Sequence, residues 1–190
     1  MPHLAVIPFD YDAQLGVITY FHSRSDAQLA VMGCARDCLP EMSVWRDDLF
    51  MQASLPVCER SIYYVGWYAD RRLIGHANIN DIVFGDRALL HMHMWDDGMT
   101  GRGYGPRLLT ESLRHFFREF SLRQITCTPK ADNPGPNGAL RRLGIPIAQH
   151  YEARPGPMAT DQMVNHYDIF PVNVGIDENL ENDGDVNDGG

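Results

Sequence analysis

Between Trp95 and Leu109 the chain reads WDDGMTGRGYGPRLL, with Gly98, Gly101, Gly103 and Gly105 close together, then Pro106 and the start of an apolar repeat. Glycine loses more freedom on folding than any other residue, so such a cluster needs a reason. A dinucleotide fingerprint would need a third glycine beyond Gly103-Tyr104-Gly105, where Pro106 stands. A GxxxxGK[ST] phosphate loop would need a lysine that the segment lacks. A plain strand-to-helix turn uses one glycine or two. The alternation Gly101-Arg102-Gly103-Tyr104-Gly105 fits better with backbone N–H groups approaching a pyrophosphate at the positive end of the following helix. Pro106 at the first helical position loses nothing, because its N–H would have no partner there. Arg102 and Arg107 add positive charge.

The second set of residues with chemistry in reach is His76, His91 and His93. Imidazoles titrate near neutrality and suit proton transfer. Three of them also suggest zinc, but a flat stripe on paired strands does not make a tetrahedron. The plain alternative is hydrogen-bonded sheet residues beside Asn78 and Asn80. Of the four cysteines, only Cys34 and Cys38 are close, at a spacing that puts both on one face of a helix, and no CxxC or histidine cluster completes a zinc set. Reduced thiols are expected. The terminal DGDVNDGG begins like a calcium loop but carries Asp188 where the sixth-position glycine belongs, so it reads as a solvated acidic run. No metal is expected.

These residues need elements to position them. Residues 3–9 read as a strand. Helices follow over about Asp12–Met32, with a break at HSRSD, and about Ser43–Ala53, with Ser43 as N-cap and Asp47 and Asp48 in the first turns. SIYYVGWYA (61–69) is aromatic and β-branched, which suits a strand. LIGHANINDIVF (73–84), Gly85-Asp86 and ALLHMHMW (88–95) form a hairpin on a two-residue turn. Pairing outward from Phe84–Arg87 sets Asn80 opposite His91, Asn78 opposite His93 and His76 opposite Trp95. It sets Ile79 opposite Met92 and Ala77 opposite Met94. Polar pairs then share one face and apolar pairs the other. Residues 106–120 carry a helical stripe of Leu109, Leu113, Phe116, Phe117 and Phe120. A strand at 124–129, the turn KADNPGPN, the short helix GALRRLG and two strands near 145–153 and 162–172 complete the pattern.

Strand, glycine-rich turn, amphipathic helix, strand and an asparagine-led short helix together resemble the GCN5-related N-acetyltransferase (GNAT) superfamily over about residues 61 to 170. The family pattern Q/R-x-x-G-x-G/A matches TGRGYG (100–105) at both glycines, with Thr100 in the Q/R place. The family's N-x-x-S/A…L-G-F matches NPGPNGALRRLGI, with Asn133 eleven residues before Gly144 and Ile145 in place of the aromatic. The resemblance implies an α+β fold with a mixed, mostly antiparallel sheet flanked by helices. It implies acetyl-CoA as cosubstrate: turn amides from Gly101 through Arg102, Gly103, Tyr104 and Gly105 would hold the pyrophosphate, beside Pro106 and Arg107. The strand end Met94-Trp95 would bind the pantetheine arm and thioester through its backbone, and Asn133 would reach toward that arm. Leu140 stands where many members carry a tyrosine acid. Amine attack on a thioester needs a neutral amine, so a base is expected; His93, nearest the expected thioester, is the first candidate and His91 the second.

A chain of 190 residues with 44% hydrophobic content suits one core, and a single domain over 1–174 is expected. The net charge of −9 is uneven: residues 175–190 hold six acids and no base, which leaves the body near −3. That argues against a nucleic-acid partner. The tail is expected to be disordered alone and offers a surface for self-association or assembly. MPHLAVIPFDYD lacks the pattern of a secretory signal, and no apolar run approaches the ~20 residues of a membrane span. A soluble, cytoplasmic N-acyltransferase acting on an amine is the first reading, with CoA and an amine as its partners. The second is a catalytically silent module of the same fold in a larger assembly such as a phage particle.

Overall fold

The computed structural model describes residues 2–176. The expectations for the acidic run from residue 177 onward lie outside the described residues. Strand β1 (Leu4–Pro8) leads to helix α1 (Tyr11–Ser23), capped by Asp10, and helix α2 (Asp26–Met32). The break between the helices is sharp because Ser25 starts α2 with a reciprocal capping box to Gln28. Helix α3 (Met42–Ser54) begins one residue before the expected cap: Glu41 accepts from the Ser43 and Val44 N–H groups, so Ser43 is inside the helix. Cys34 lies past the end of α2 in an isolated bridge to Ala159, and Cys38 is in a 3-10 turn, so they share no helix face. Both are free thiols, as are Cys58 and Cys127.

Strands β2 (Ile62–Ala69), β3 (Arg72–Val83) and β4 (Arg87–Met94) form a meander. Helix α4 (Tyr104–Glu119), β5 (Gln124–Cys127), helix α5 (Pro134–Arg142), β6 (Gln149–Ala153) and β7 (Gln162–Ile169) follow. The sheet order is β1-β2-β3-β4-β5-β7-β6. Every neighbouring pair is antiparallel except β4 and β5. Helix α4 starts two residues ahead of Pro106, which occupies the third helical position. Helix α5 starts at Pro134, inside the stretch read as a turn; Asn133 caps it through Gly135 N–H. Proline at the first helical position is favourable for the reason given above.

The hairpin register differs from expectation by two residues. His76 pairs with His93, Asn78 with His91, Asn80 with Leu89, Ala77 with Met92 and Ile79 with Leu90. Val83 pairs with Arg87, so the loop holds Phe84, Gly85 and Asp86 with Gly85 left-handed at φ 76°. A bulge between Asn80 and Val83, where Asp81 has φ 50°, adds the second step. An offset of two preserves the faces, so the histidines and asparagines stay on one side and the apolar residues on the other.

The apolar side packs on α4 through Leu109, Leu113, Phe116 and Phe117 against Val65, Ala77 and Ile79. Trp67 Nε1 donates to Ser112 Oγ at 2.9 Å within this layer. The opposite side is covered by α1–α3, where Val17, Phe21, Leu29, Trp45 and Leu49 join Tyr64 in a second core. No described helix is long and apolar enough to cross a membrane.

Candidate functional site

The single parallel pair opens the sheet. Strand β4 pairs with β5 only over Arg87–Leu89 against Gln124–Thr126, and β5 ends at Cys127 and pairs on its far side with β7. Beyond Leu89, β4 therefore has a partner on the β3 side alone. Trp95 N–H donates to Ile74 O at 2.8 Å. In an antiparallel ladder the direction alternates, so His91 and His93 also aim their backbone at β3, while Leu90, Met92 and Met94 aim theirs at the open side. Their side chains pack toward α4. The free edge is thus the Leu90 carbonyl, Met92 and Met94, since the 89–126 pairing sets the Leu90 N–H against Thr126. Trp95, expected to offer its backbone there, does not: its N–H is held by Ile74, and its carbonyl accepts from Arg24 Nη2 at 2.8 Å.

The glycine segment follows directly. Gly101 and Gly103 have φ of 76° and 79°, where a side chain would be strained, and Gly103 is the N-cap of α4. A glycine cap brings no side-chain acceptor to the helix's first N–H groups, and those have no intrahelical partners. An added Cβ at Gly101, Gly103 or Gly105 would meet no atom within 4 Å. The backbone of Gly101–Gly105 thus borders open space with its donors and the positive helix end unopposed. Arg102 and Arg107 are exposed beside it. Tyr104 is half-buried and packs on the α4 core. This is a fit for a pyrophosphate, and the free edge of β4 suits the amides of a pantetheine arm.

Asn133 lines the cleft between β4 and β5 while its Oδ1 caps α5. A residue that the sequence reading passed over anchors the far wall. Asn137 donates to the Lys130 and Asn133 carbonyls and accepts from Asn165 and Tyr167, tying α5 to β7. Leu140 is fully buried, facing core and not cleft.

The cleft continues over the other face of β4 as one cavity of about 510 Å³, with His76, His91 and His93 in its lining. His76 is 1% exposed; its Nδ1 accepts from Trp95 Nε1 at 2.7 Å, which leaves the ring proton on Nε2. His93 stacks on His76 at 5.0 Å and meets Phe21 edge-on at 4.9 Å. The layer formed by α1–α3 strips water from these rings. Burial lowers His91 to about 4, against an opposing effect of Asp81. Burial, His91 and Arg24 lower His93 to about 3. Imidazoles titrating near neutrality were the expectation; the structure holds both neutral well below that range. Arg24 is the other residue that the sequence does not single out. It covers the Tyr20 ring at 4.4 Å, and its carbonyl bond ties the break between α1 and α2 to the end of β4. Among the described residues no group of three or more His, Cys, Asp or Glu is arranged to hold a metal ion.

Solved structures of the same fold include the spermidine N-acetyltransferase of Vibrio cholerae in complex with CoA and spermine. It is 13% identical with a TM-score of 0.69, over 90% of this chain and 97% of that one. A second is the ribosomal L7/L12 alpha-N-protein acetyltransferase in complex with coenzyme A, 13% identical with a TM-score of 0.68, over 88% and 93%. A third is the Salmonella typhimurium acetyl transferase that modifies the N-terminal serine of that ribosomal protein, 15% identical with a TM-score of 0.66, over 88% and 94%. No curated sequence matches the chain. The model of the acetyltransferase (GNAT) family matches residues 32–145, spanning α3, the open β4 edge, the glycine turn, α4 and the whole of α5, and the chain belongs to that family.

Proposed function

We propose that the protein moves an acetyl group from acetyl-CoA to the nitrogen of an amine, in a small molecule or at a protein terminus. The observation that carries this reading is the continuity of Leu90–Gly105: a strand edge without a partner runs straight into a helix N-terminus without a cap side chain. In this reading the amides of Gly101–Gly105, with Arg102 and Arg107, hold the pyrophosphate. The Leu90 carbonyl and the backbones of Met92 and Met94 hold the pantetheine arm, with Asn133 across the cleft. Bound acetyl-CoA would supply a thioester activated toward amines. The relatives of the same fold act, by their names, on spermidine and on a ribosomal protein's N-terminus, which supports both kinds of acceptor.

His93, with His91 beside it, remains the candidate base. An imidazole lowered to about 3 is unprotonated at neutral pH but weakly basic, so it accepts a proton only as the amine nitrogen gains positive charge in bond formation. The cavity walls assist by disfavouring the ammonium form of an entering amine. The test is release of free thiol from acetyl-CoA by the full-length protein, against a panel of amines and peptide N-termini. Turnover is expected, and His93→Ala lowers it by ~10²–10⁴-fold with CoA affinity nearly unchanged. CoA binding without transfer to any amine would overturn this reading in favour of a silent module.

A further inference from the structure

The cavity beside the histidines holds polar groups without partners among the described residues. Asn78 is 6% exposed and lines the cavity, and its side-chain amide has no hydrogen-bond partner among the described residues. Asn80, next on the same face of β3, has its Oδ1 sealed from solvent with no partner. A sealed, unpartnered oxygen such as the Asn80 Oδ1 is costly. The walls around them are apolar: Phe21, Trp45, Leu49, Ile62, Tyr64 and Met158. The imidazoles in its interior are neutral, and the nearest fixed charge is the positive Arg24 guanidinium, which acts on His93. The charged residues in the lining are Asp48 and Asp81, both exposed at the rim, and Lys130, whose Nζ is 3.4 Å from Asp132.

We infer that this cavity binds an amine with an apolar body and an uncharged amide, and that Asn78 and Asn80 read the amide. Side-chain amides both donate and accept, so they match a group that does the same. His93, the candidate base, pairs with His76, and Asn78 lies two residues further along β3, about 7 Å away, with Asn80 next beyond it on the same face. The amide of the acceptor therefore sits roughly that far from the reacting nitrogen. A polyamine is a poor occupant: its second ammonium would leave water for neutral imidazoles and apolar walls. Such a cavity also falls within the ordinary size range of small-molecule sites.

The inference rests on the acetyl-transfer reading for turnover but not for binding, so both are measured on the full-length protein. The probes are N-(4-aminobutyl)benzamide, 4-phenylbutylamine, which lacks the amide, and spermidine, which has an ammonium at the same four-carbon spacing. The amide probe is expected to exceed 4-phenylbutylamine by roughly tenfold or more in kcat/KM, or in affinity by calorimetry, with spermidine weakest. In Asn80→Leu the ratio between the first two falls toward one. Spermidine equal to or better than the amide probe, or no amide preference in the unaltered protein, overturns the inference while leaving acetyl transfer intact. Binding of the amide probe without turnover sustains the inference and counts against acetyl transfer. Failure of all three probes to bind overturns the inference.

Discussion

Lowering the pH from 7 to 5 should destabilise this protein through His91 and His93. The ordinary imidazole value is 6.5, and burial lowers these two to about 4 and about 3. Over this interval the unfolded chain takes up a proton at each position and the folded chain takes up almost none. Stability therefore falls as pH drops below 6.5, and the loss continues until the folded-state values are reached. By that linkage each histidine removes about 2 kcal/mol between pH 7 and pH 5, and the two together about 4 kcal/mol. His76 shifts in the same direction, from burial first and its two neighbours second. Ordinary carboxylates, near 4, stay mostly ionised at pH 5, so the interval isolates the imidazoles. For a chain of this size the loss corresponds to roughly 8–16 °C in melting temperature. The assay is thermal unfolding at fixed ionic strength, on the natural protein and on the His91→Gln/His93→Gln variant. A change below about 1 kcal/mol in the natural protein would refute the reasoning. So would an equally steep change in the double variant.

The remaining predictions concern the helix start and the core. Gly105→Val places a side chain in the open space before α4 at an ordinary helical position, so the fold should persist while CoA affinity by calorimetry drops at least about tenfold; unchanged affinity in a folded variant would sink the phosphate-cradle assignment. Ser112→Ala leaves the buried Trp67 indole N–H without an acceptor and should cost about 1–3 kcal/mol by urea unfolding. Leu140→Tyr should not create a faster enzyme, because Leu140 is fully enclosed in the core; it should cost roughly 1–3 kcal/mol through overpacking, and a rise in turnover would contradict its placement.

Features that rest on local backbone rules were legible in the sequence. The α4 stripe, the two faces of β3 and β4 and the glycine-to-helix transition each follow from period or backbone freedom within a few residues. Boundaries were less legible where two residues compete for one role. Glu41 and Ser43 are both plausible caps for α3, and the longer carboxylate reaches the free N–H groups first. Pro134-Gly135-Pro136 has the composition of a turn, yet Asn133 caps it and proline suits a first helical turn. The hairpin register required the bulge at Asp81, which an alternating pattern does not announce. Least legible were effects of chain segments far apart in sequence. Arg24 reaches Trp95 across 71 residues and removes that carbonyl from the strand edge. The depressed histidines depend on the cover supplied by α1–α3, which no residue near position 91 encodes.

The two halves of the candidate site therefore answer to different parts of the chain. The half facing β5 is made of backbone: a strand that outlasts its parallel neighbour, followed by a helix start without side-chain caps. Parallel strands need a crossover, and the crossover here is α4, so its N-terminus must lie just beyond the end of β4. An anion site at the helix start and a free edge on the strand are thus consequences of one topological choice, and few side chains are needed to keep them. The half facing α1–α3 is made of side chains from β2, β3, β4, three helices and the segment before β7. Substitutions there can alter which amine fits while the sheet opening and the helix start stay in place, since Asn78, Asn80, Trp45 and Met158 take no part in either. Low overall identity to structures that share nearly the whole fold is what such a division of labour would produce.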